Sequence, residues 1–345
     1  MIEQADLDAA VAANLLSSEQ RASLTEFVRQ RQQATLGADE EQFRFITGFN
    51  DIFVTIAAVL LLVAVGALGV RVDAWFGALA VAVASWGLAE YFTRRRRMAF
   101  PSIVLLLAFV GSVFVTLGAT IIRITGVENV QPDTPQGALY LGIAGAGAVA
   151  AAIAHWRRFQ VPITVAAGAA ALSAIAFAIV ASIMGEDKDA LLTAVSLCGV
   201  AVFAVAMRYD MSDRQRTTRR TDIAFWLHLL AAPMIIHPLV VMFGLNGPAM
   251  LPVEAMAIVA VYLIMTVVAF AIDRRALLVS GLAYMIFALQ SLFKQTGDVD
   301  LGFALTCLVI GLFLVSLSAA WQRIRAAVMP LVPAYWQERL PAVAA

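Results

Sequence analysis

The chain has 345 residues, of which 61% are hydrophobic and 14% charged, and its formal net charge is zero. That leaves too little polar surface to keep a soluble domain of this length dispersed, so the composition predicts a membrane-embedded protein. The charge balance argues against a nucleic-acid partner. The two cysteines, Cys198 and Cys307, sit in apolar runs without metal-type spacing and read as packing residues.

In chain order, residues 1–48 come first and are polar. They lack the charged head and short apolar core of a secretory signal, which predicts that they stay cytoplasmic. Two short helices are expected there. "IEQADLDAAVAAN" places Leu7, Ala10 and Val11 on one side. "SSEQRASLTEFVRQRQ" has Ser17 and Gln20 at capping-box spacing, then an apolar stripe of Leu24, Phe27 and Val28. "GADEEQFRF" links this hairpin to the first apolar run. The pattern "LDAAVAANLLSSEQRASLTEF", followed by many apolar runs, resembles the N-terminal region of the DUF2157-type family of bacterial membrane proteins, with "NLL" where that family usually has a glycine. The resemblance implies location and architecture and no activity.

Ten apolar segments follow, at 50–70, 73–92, 100–122, 138–155, 161–184, 190–207, 223–243, 252–271, 277–293 and 301–321. Each can cross roughly 30 Å of hydrocarbon at about 1.5 Å per residue, and lipid leaves such runs only the helix as a way to satisfy their backbone. With the N-terminus inside, 20 of the 24 basic residues fall in inner segments. The outer loops keep Arg71, Arg123, Lys188 and Lys294 beside nine acidic residues. The bias predicts that both termini are cytoplasmic, and the excess of arginine over lysine, with abundant alanine, makes a bacterial inner membrane the expected location. The expected fold is therefore all-α: a cytoplasmic hairpin and linker over 1–48, a ten-helix transmembrane domain over 49–321, and an interfacial tail over 322–345. Trp321, Tyr335 and Trp336, near arginines, are expected to anchor that tail.

Arg-Arg pairs at 96/97, 157/158, 219/220 and 274/275 recur 61, 62 and 55 residues apart. Three continue alike, as "RRMAFPSIVLL", "RRFQVPITVAA" and "RRALLVSGLAY". Five tandem hairpins, each entering and leaving on the cytoplasmic face, would give this pattern, and so would ordinary span lengths combined with charge bias. Glycine and alanine in "GIAGAGAVAAAIA" and "AAGAAALSAIA" predict close packing of the fourth and fifth spans.

Charge inside a bilayer is costly, so ionisable groups within the spans mark candidate sites. Asp51, Glu90, Asp222 and Glu254 all lie near span ends. There, helix capping, or for Glu90 an i, i+4 pair with Arg94, accounts for them. The seventh span, "WLHLLAAPMIIHPLVVMFG", carries His228 and His237 with Pro233 and Pro238 between and beside them. Each proline frees a carbonyl one turn back, and a kink can turn both imidazoles toward one cavity. Gln290 of the ninth span is a candidate third wall. The alternative is that each imidazole bonds a neighbouring helix. His155, assigned to an inner loop, brings no further ligand, so no metal and no cofactor are expected. "GLNGPAMLP" reads as the outer turn after this span.

No nucleotide loop, nucleophile elbow or metalloprotease helix is present, so an enzyme is not expected. Two functions remain. One is a carrier or channel for a small solute near the kinked seventh span. The other is a membrane-embedded interaction protein whose N-terminal hairpin and basic loop "RYDMSDRQRTTRR" bind a cytoplasmic protein or anionic headgroups.

Overall fold

The computed structural model of the chain describes residues 15–35, 49–126, 134–216, 218–244, 251–294 and 299–341, with Leu7, Val11 and Ala13 besides. All regular structure among them is helical. The chain divides into two units, Met1–Phe43 with Val343–Ala345, and Arg44–Ala342.

In the first unit, α1 (Ser18–Thr35) opens on the expected capping box. Ser17 N–H donates to Gln20 Oε1 and Gln20 N–H donates to Ser17 Oγ, both at 3.0 Å. Leu24 and Phe27 are exposed. The helix expected over 2–14 and the linker 37–45 lie almost wholly outside the described residues.

The second unit runs α2 (Phe49–Val70), α3 (Ala74–Ala89, continued by a π-helical turn Glu90–Arg95), α4 (Ala99–Thr125), α5 (Pro135–Phe159), α6 (Ile163–Met184) and α7 (Lys188–Ser212). It continues with α8 (Arg219–Met242), α9 (Pro252–Ile272), α10 (Ala276–Lys294) and α11 (Val299–Val328). Among the described residues nine of these are long and apolar enough to cross a membrane; α10 is not counted with them, its apolar run being the shorter Gly281–Phe293. Starts are set by local chemistry. Thr134 accepts from Gly137 N–H at 3.1 Å ahead of Pro135, and Asp187 accepts from Asp189 and Ala190 N–H. The start of α8 differs from expectation: Thr218 is the cap, and Asp222 sits in the first turn, where its charge complements the helix dipole. The turn expected after α8 falls at 245–250, outside the described residues.

The turns at the two ends of the bundle are built differently. Among the described residues, four non-glycines have positive φ, Arg97, Gln160, Arg216 and Asp273, and all lie in the arginine-bearing turns after α3, α5, α7 and α9. The positive-φ glycines among the described residues, Gly126, Gly185 and Gly244, all close helices at the opposite end. A left-handed residue with a Cβ costs about 1 kcal/mol over glycine. Three of the four offset that with side-chain bonds: Gln160 accepts from Arg219 at 2.8 Å, and Arg216 and Asp273 pair at 2.9 Å. The apparent sequence repeat does not carry over to equivalent caps. Pro101 is the third residue of α4, Pro162 is the cap of α6 and Val279 is the fourth residue of α10.

Packing is most extensive between helices joined across the arginine-bearing turns, above all α7 with α8 and α5 with α6. Small residues permit it. A Cβ on Gly145 would lie 2.9 Å from Ile175 Cγ1, and one on Gly199 2.9 Å from Met234 Cβ. The expected close pairing of the fourth and fifth spans is therefore present. Half of the apolar window of α8 is buried, against 11–39% for the other spanning helices, so α8 is the central helix. It also packs on α6 and α10.

Candidate functional site

The last turn of α7 carries Asp210, which is 2% exposed and bonds two side chains from elsewhere in the chain, Arg274 and His228. Arg274, in the α9–α10 turn and 1% exposed, presents Nε at 3.1 Å from both carboxylate oxygens and donates from Nη2 to Oδ1. His228, in the second turn and a half of α8 and fully buried, places Nε2 2.9 Å from Oδ2. An ionised carboxylate only accepts, so Nε2 carries a proton toward it. The His228 Nδ1 is buried and has no hydrogen-bond partner. Phe203 stacks edge-on against the imidazole at 5.1 Å. Arg274 Nη2 also donates to the Thr221 carbonyl at 3.3 Å.

A second cluster sits against the first through adjacent residues. Asp273 accepts from Arg216 Nη1 at 2.9 Å and from Trp321 Nε1 at 2.7 Å, with Arg325 Nε 3.7 Å away. Arg216 Nη2 donates to the Asp273 carbonyl at 2.7 Å. Asp213 organises the α7–α8 turn, accepting from Thr218 N–H and from the hydroxyls of Thr218 and Thr221. The tail folds onto this end: Arg214 donates to the Leu340 carbonyl at 3.1 Å and Arg325 to that of Pro341. Residues 322–341 thus belong to the bundle's unit rather than to a separate segment. Trp321, expected as an interfacial anchor, is 2% exposed and held between Asp273 and the Phe270 ring at 4.4 Å. Tyr335 and Trp336 are exposed.

The seventh-span residues end up apart. His228 faces α7. His237, nine residues on, is exposed and bonds Tyr284 of α10 through Nδ1. Both prolines lie inside one continuous helix, Pro233 exposed and Pro238 buried. The cavity beside this stretch is about 10 Å³, walled by Ile236, Val240, Ile258, Tyr262 and neighbours, and neither histidine lines it. Gln290 is half-buried on α10 and does not line it either. A larger groove of about 330 Å³ opens on α2, α3 and α4 between Gly66, Gly77 and Gly111, far along the chain from all of these. His155 is not in a loop. It is fully buried near the end of α5, among the rings of Phe159, Phe109 and Trp86, with Thr164 Oγ1 3.3 Å from Nδ1. Glu90 pairs with Arg94 at 3.3 Å as expected, and also takes a two-pronged bond from Arg158 at 2.6 and 2.9 Å.

Asp210, Arg274 and Asp273 are the members that the sequence reading did not single out, since each stands in a segment counted as an arginine-weighted loop. The available signal was an acidic residue in loops whose bias is otherwise basic. Compared with known proteins, the chain matches no protein-family model, no curated protein and no solved structure.

Proposed function

We propose that the chain is a ten-span inner-membrane protein with both termini cytoplasmic, and that it carries a small solute along α8, with Asp210, His228 and Arg274 as its polar site. One observation carries the reading: Asp210, His228 and Arg274 lie buried together where α7, α8 and the α9–α10 turn of this apolar bundle meet. Intramembrane charges of this kind usually serve substrate or proton paths, because a structural role is met more cheaply by apolar packing. The site moves from the expected His228–His237–Gln290 cavity toward the arginine-bearing end. His237 and Tyr284 form a second polar contact about 13 Å further along the same helix.

The test is uptake into proteoliposomes, screening amino acids, organic acids, sugars and cations. At least one solute accumulates with wild type and falls to the empty-liposome level with His228→Ala. Retained uptake in that variant would sink the assignment of the site, and no uptake of any solute would sink the carrier reading.

The second reading, an interaction protein, draws on α1, whose Leu24 and Phe27 stay exposed on an otherwise polar helix. In that case deleting residues 1–35 abolishes co-purification of a cytoplasmic partner while the spans remain folded. The DUF2157-type resemblance fits either function.

A further inference from the structure

The groove on α2, α3 and α4 begins where the core of these helices ends. Toward the arginine-bearing end they are pinned together by a buried apolar cluster, Ala58 and Leu62 with Ala89 and Leu105. Past it, toward the glycine-closed end, they leave a recess of about 330 Å³. The α2 and α3 walls cannot shift inward to close it. They already touch backbone to backbone, where a Cβ on Gly69 would lie 2.6 Å from Gly77 Cα. On the α4 wall Gly111 has no side chain to offer, and a Cβ there would meet nothing within 4 Å. Apart from Ser112, every residue that lines the recess is glycine, alanine or valine. An apolar hollow of this kind gives water too few hydrogen-bond partners to hold it.

The mouth of the groove is charged. Val70 and Ala74, two of its lining residues, flank the α2–α3 turn, which carries Arg71 and Asp73. Asp73 pairs with Arg123 from the last turn of α4, so that an ion pair bridges α3 and α4 at this end. Arg71 is exposed, and its guanidinium meets no carboxylate among the described residues. Two arginines against one aspartate leave the mouth with one net positive charge. Basic residues are scarce at the glycine-closed end, where Arg71, Arg123, Lys188 and Lys294 stand in or beside the turns, and two of those four gather at this groove.

We infer that the groove binds one acyl chain of an anionic phospholipid, whose phosphate sits on Arg71 and Arg123. Guanidinium groups match phosphate oxygens in geometry as well as in charge. The tail, enclosed on three sides, makes more van der Waals contacts than it would on a single helix face. A second copy of the chain fits less well. Docked about an axis along the membrane normal, it would set Arg71 and Arg123 against their own counterparts, like charges at close range. The bound lipid supports the half of α4 that the apolar cluster does not reach. It lies on helices that the proposed solute site does not use, so either assignment can fail alone.

The experiment uses the full chain, purified in dodecyl maltoside and stripped of lipid. It is titrated with phosphatidylglycerol or with phosphatidylcholine of the same chains, and bound lipid is counted by native mass spectrometry. Wild type retains one phosphatidylglycerol at concentrations where phosphatidylcholine is not retained. Arg71→Gln weakens that binding about fivefold, the worth of one basic residue beside an anionic headgroup. Gly111→Phe, whose ring fills the recess, abolishes it. Glycerol phosphate, the headgroup without its chains, does not displace the lipid at equal concentration. Equal retention of the two lipids overturns the site, and so does displacement by glycerol phosphate. Undiminished phosphatidylglycerol binding in Gly111→Phe overturns it too, since charge alone would then hold the lipid. A wild-type dimer that Gly111→Phe splits gives the groove to a second copy instead. If Gly111→Phe fails to fold, Arg71→Gln and the chainless headgroup decide between them.

Discussion

The two ends of the helical bundle solve the same problem with different chemistry. At the end formed by Gly126, Gly185 and Gly244, helices stop on glycines in the left-handed region, and a cross-helix ion pair there, Arg123 with Asp73, leaves 60% of the arginine side chain exposed. At the arginine-bearing end the left-handed positions are Arg97, Gln160, Arg216 and Asp273, and three of their side chains hold other turns in place. One end closes helices on glycines, which adopt the left-handed region at no steric cost. The other orders its turns around buried charge, which packing alone does not require. α8 runs between the two: His228 is sealed at one end, and His237 is exposed toward the other.

The largest expected effect lies in the sealed pair. Asp210→Ala removes the carboxylate that Arg274 meets with two nitrogens, and breaking such a buried pair costs about 3–5 kcal/mol. Unfolding in mixed detergent micelles measures it. The double variant Asp210→Leu/Arg274→Leu should recover most of the loss, because the same volume is then filled without desolvated charge. Because the pair is shielded from ions, raising salt should leave the Asp210→Ala deficit unchanged. A deficit below about 1 kcal/mol would mean that water reaches the pair and that the two ends are not so different.

His228→Phe and His237→Phe make the comparison within one helix. The first removes a bond to a charged acceptor in the core and is expected to cost about 1.5–3 kcal/mol. The second removes a neutral bond to Tyr284 at an exposed position, and about 0.5–1.5 kcal/mol is expected. Equal losses would put both imidazoles in the same environment, as the kinked-helix expectation had them.

How much of this was legible in the sequence depends on the range of the interaction. Local patterns came through: the Ser17–Gln20 capping box, the Glu90–Arg94 pair and the helical segments themselves, because each is written within a few residues. The close approach of α5 and α6 also came through, since glycine and alanine have one packing consequence wherever they face another helix. The site did not. Asp210 and Arg274 are 64 residues apart, and each stands among arginines that a hydropathy reading assigns to a solvated loop. Their burial follows from α7 continuing to Ser212, past the expected end at 207, and that continuation depends on a partner the local sequence does not contain. Trp321 and His155 were misplaced for the same reason: polar tips near a span end read as interfacial until Asp273 or an aromatic cage is found to receive them.

The smallest effect is expected at the glycine end and tests the other half of the contrast. Arg123 in the last turn of α4 pairs with Asp73 at the cap of α3, and more than half of the arginine side chain is exposed. Such a pair gains little Coulomb energy in water and must order a long side chain, so Arg123→Gln should cost about 0–1 kcal/mol. Its signature lies in the salt dependence. At 1 M salt the Debye length is about 3 Å, so variant and wild type should unfold together there, while any difference appears only at low ionic strength. A loss from Arg123→Gln that survives high salt would show that this end, too, is organised around shielded charge. The asymmetry between glycine-closed and side-chain-closed turns would then lose its electrostatic explanation.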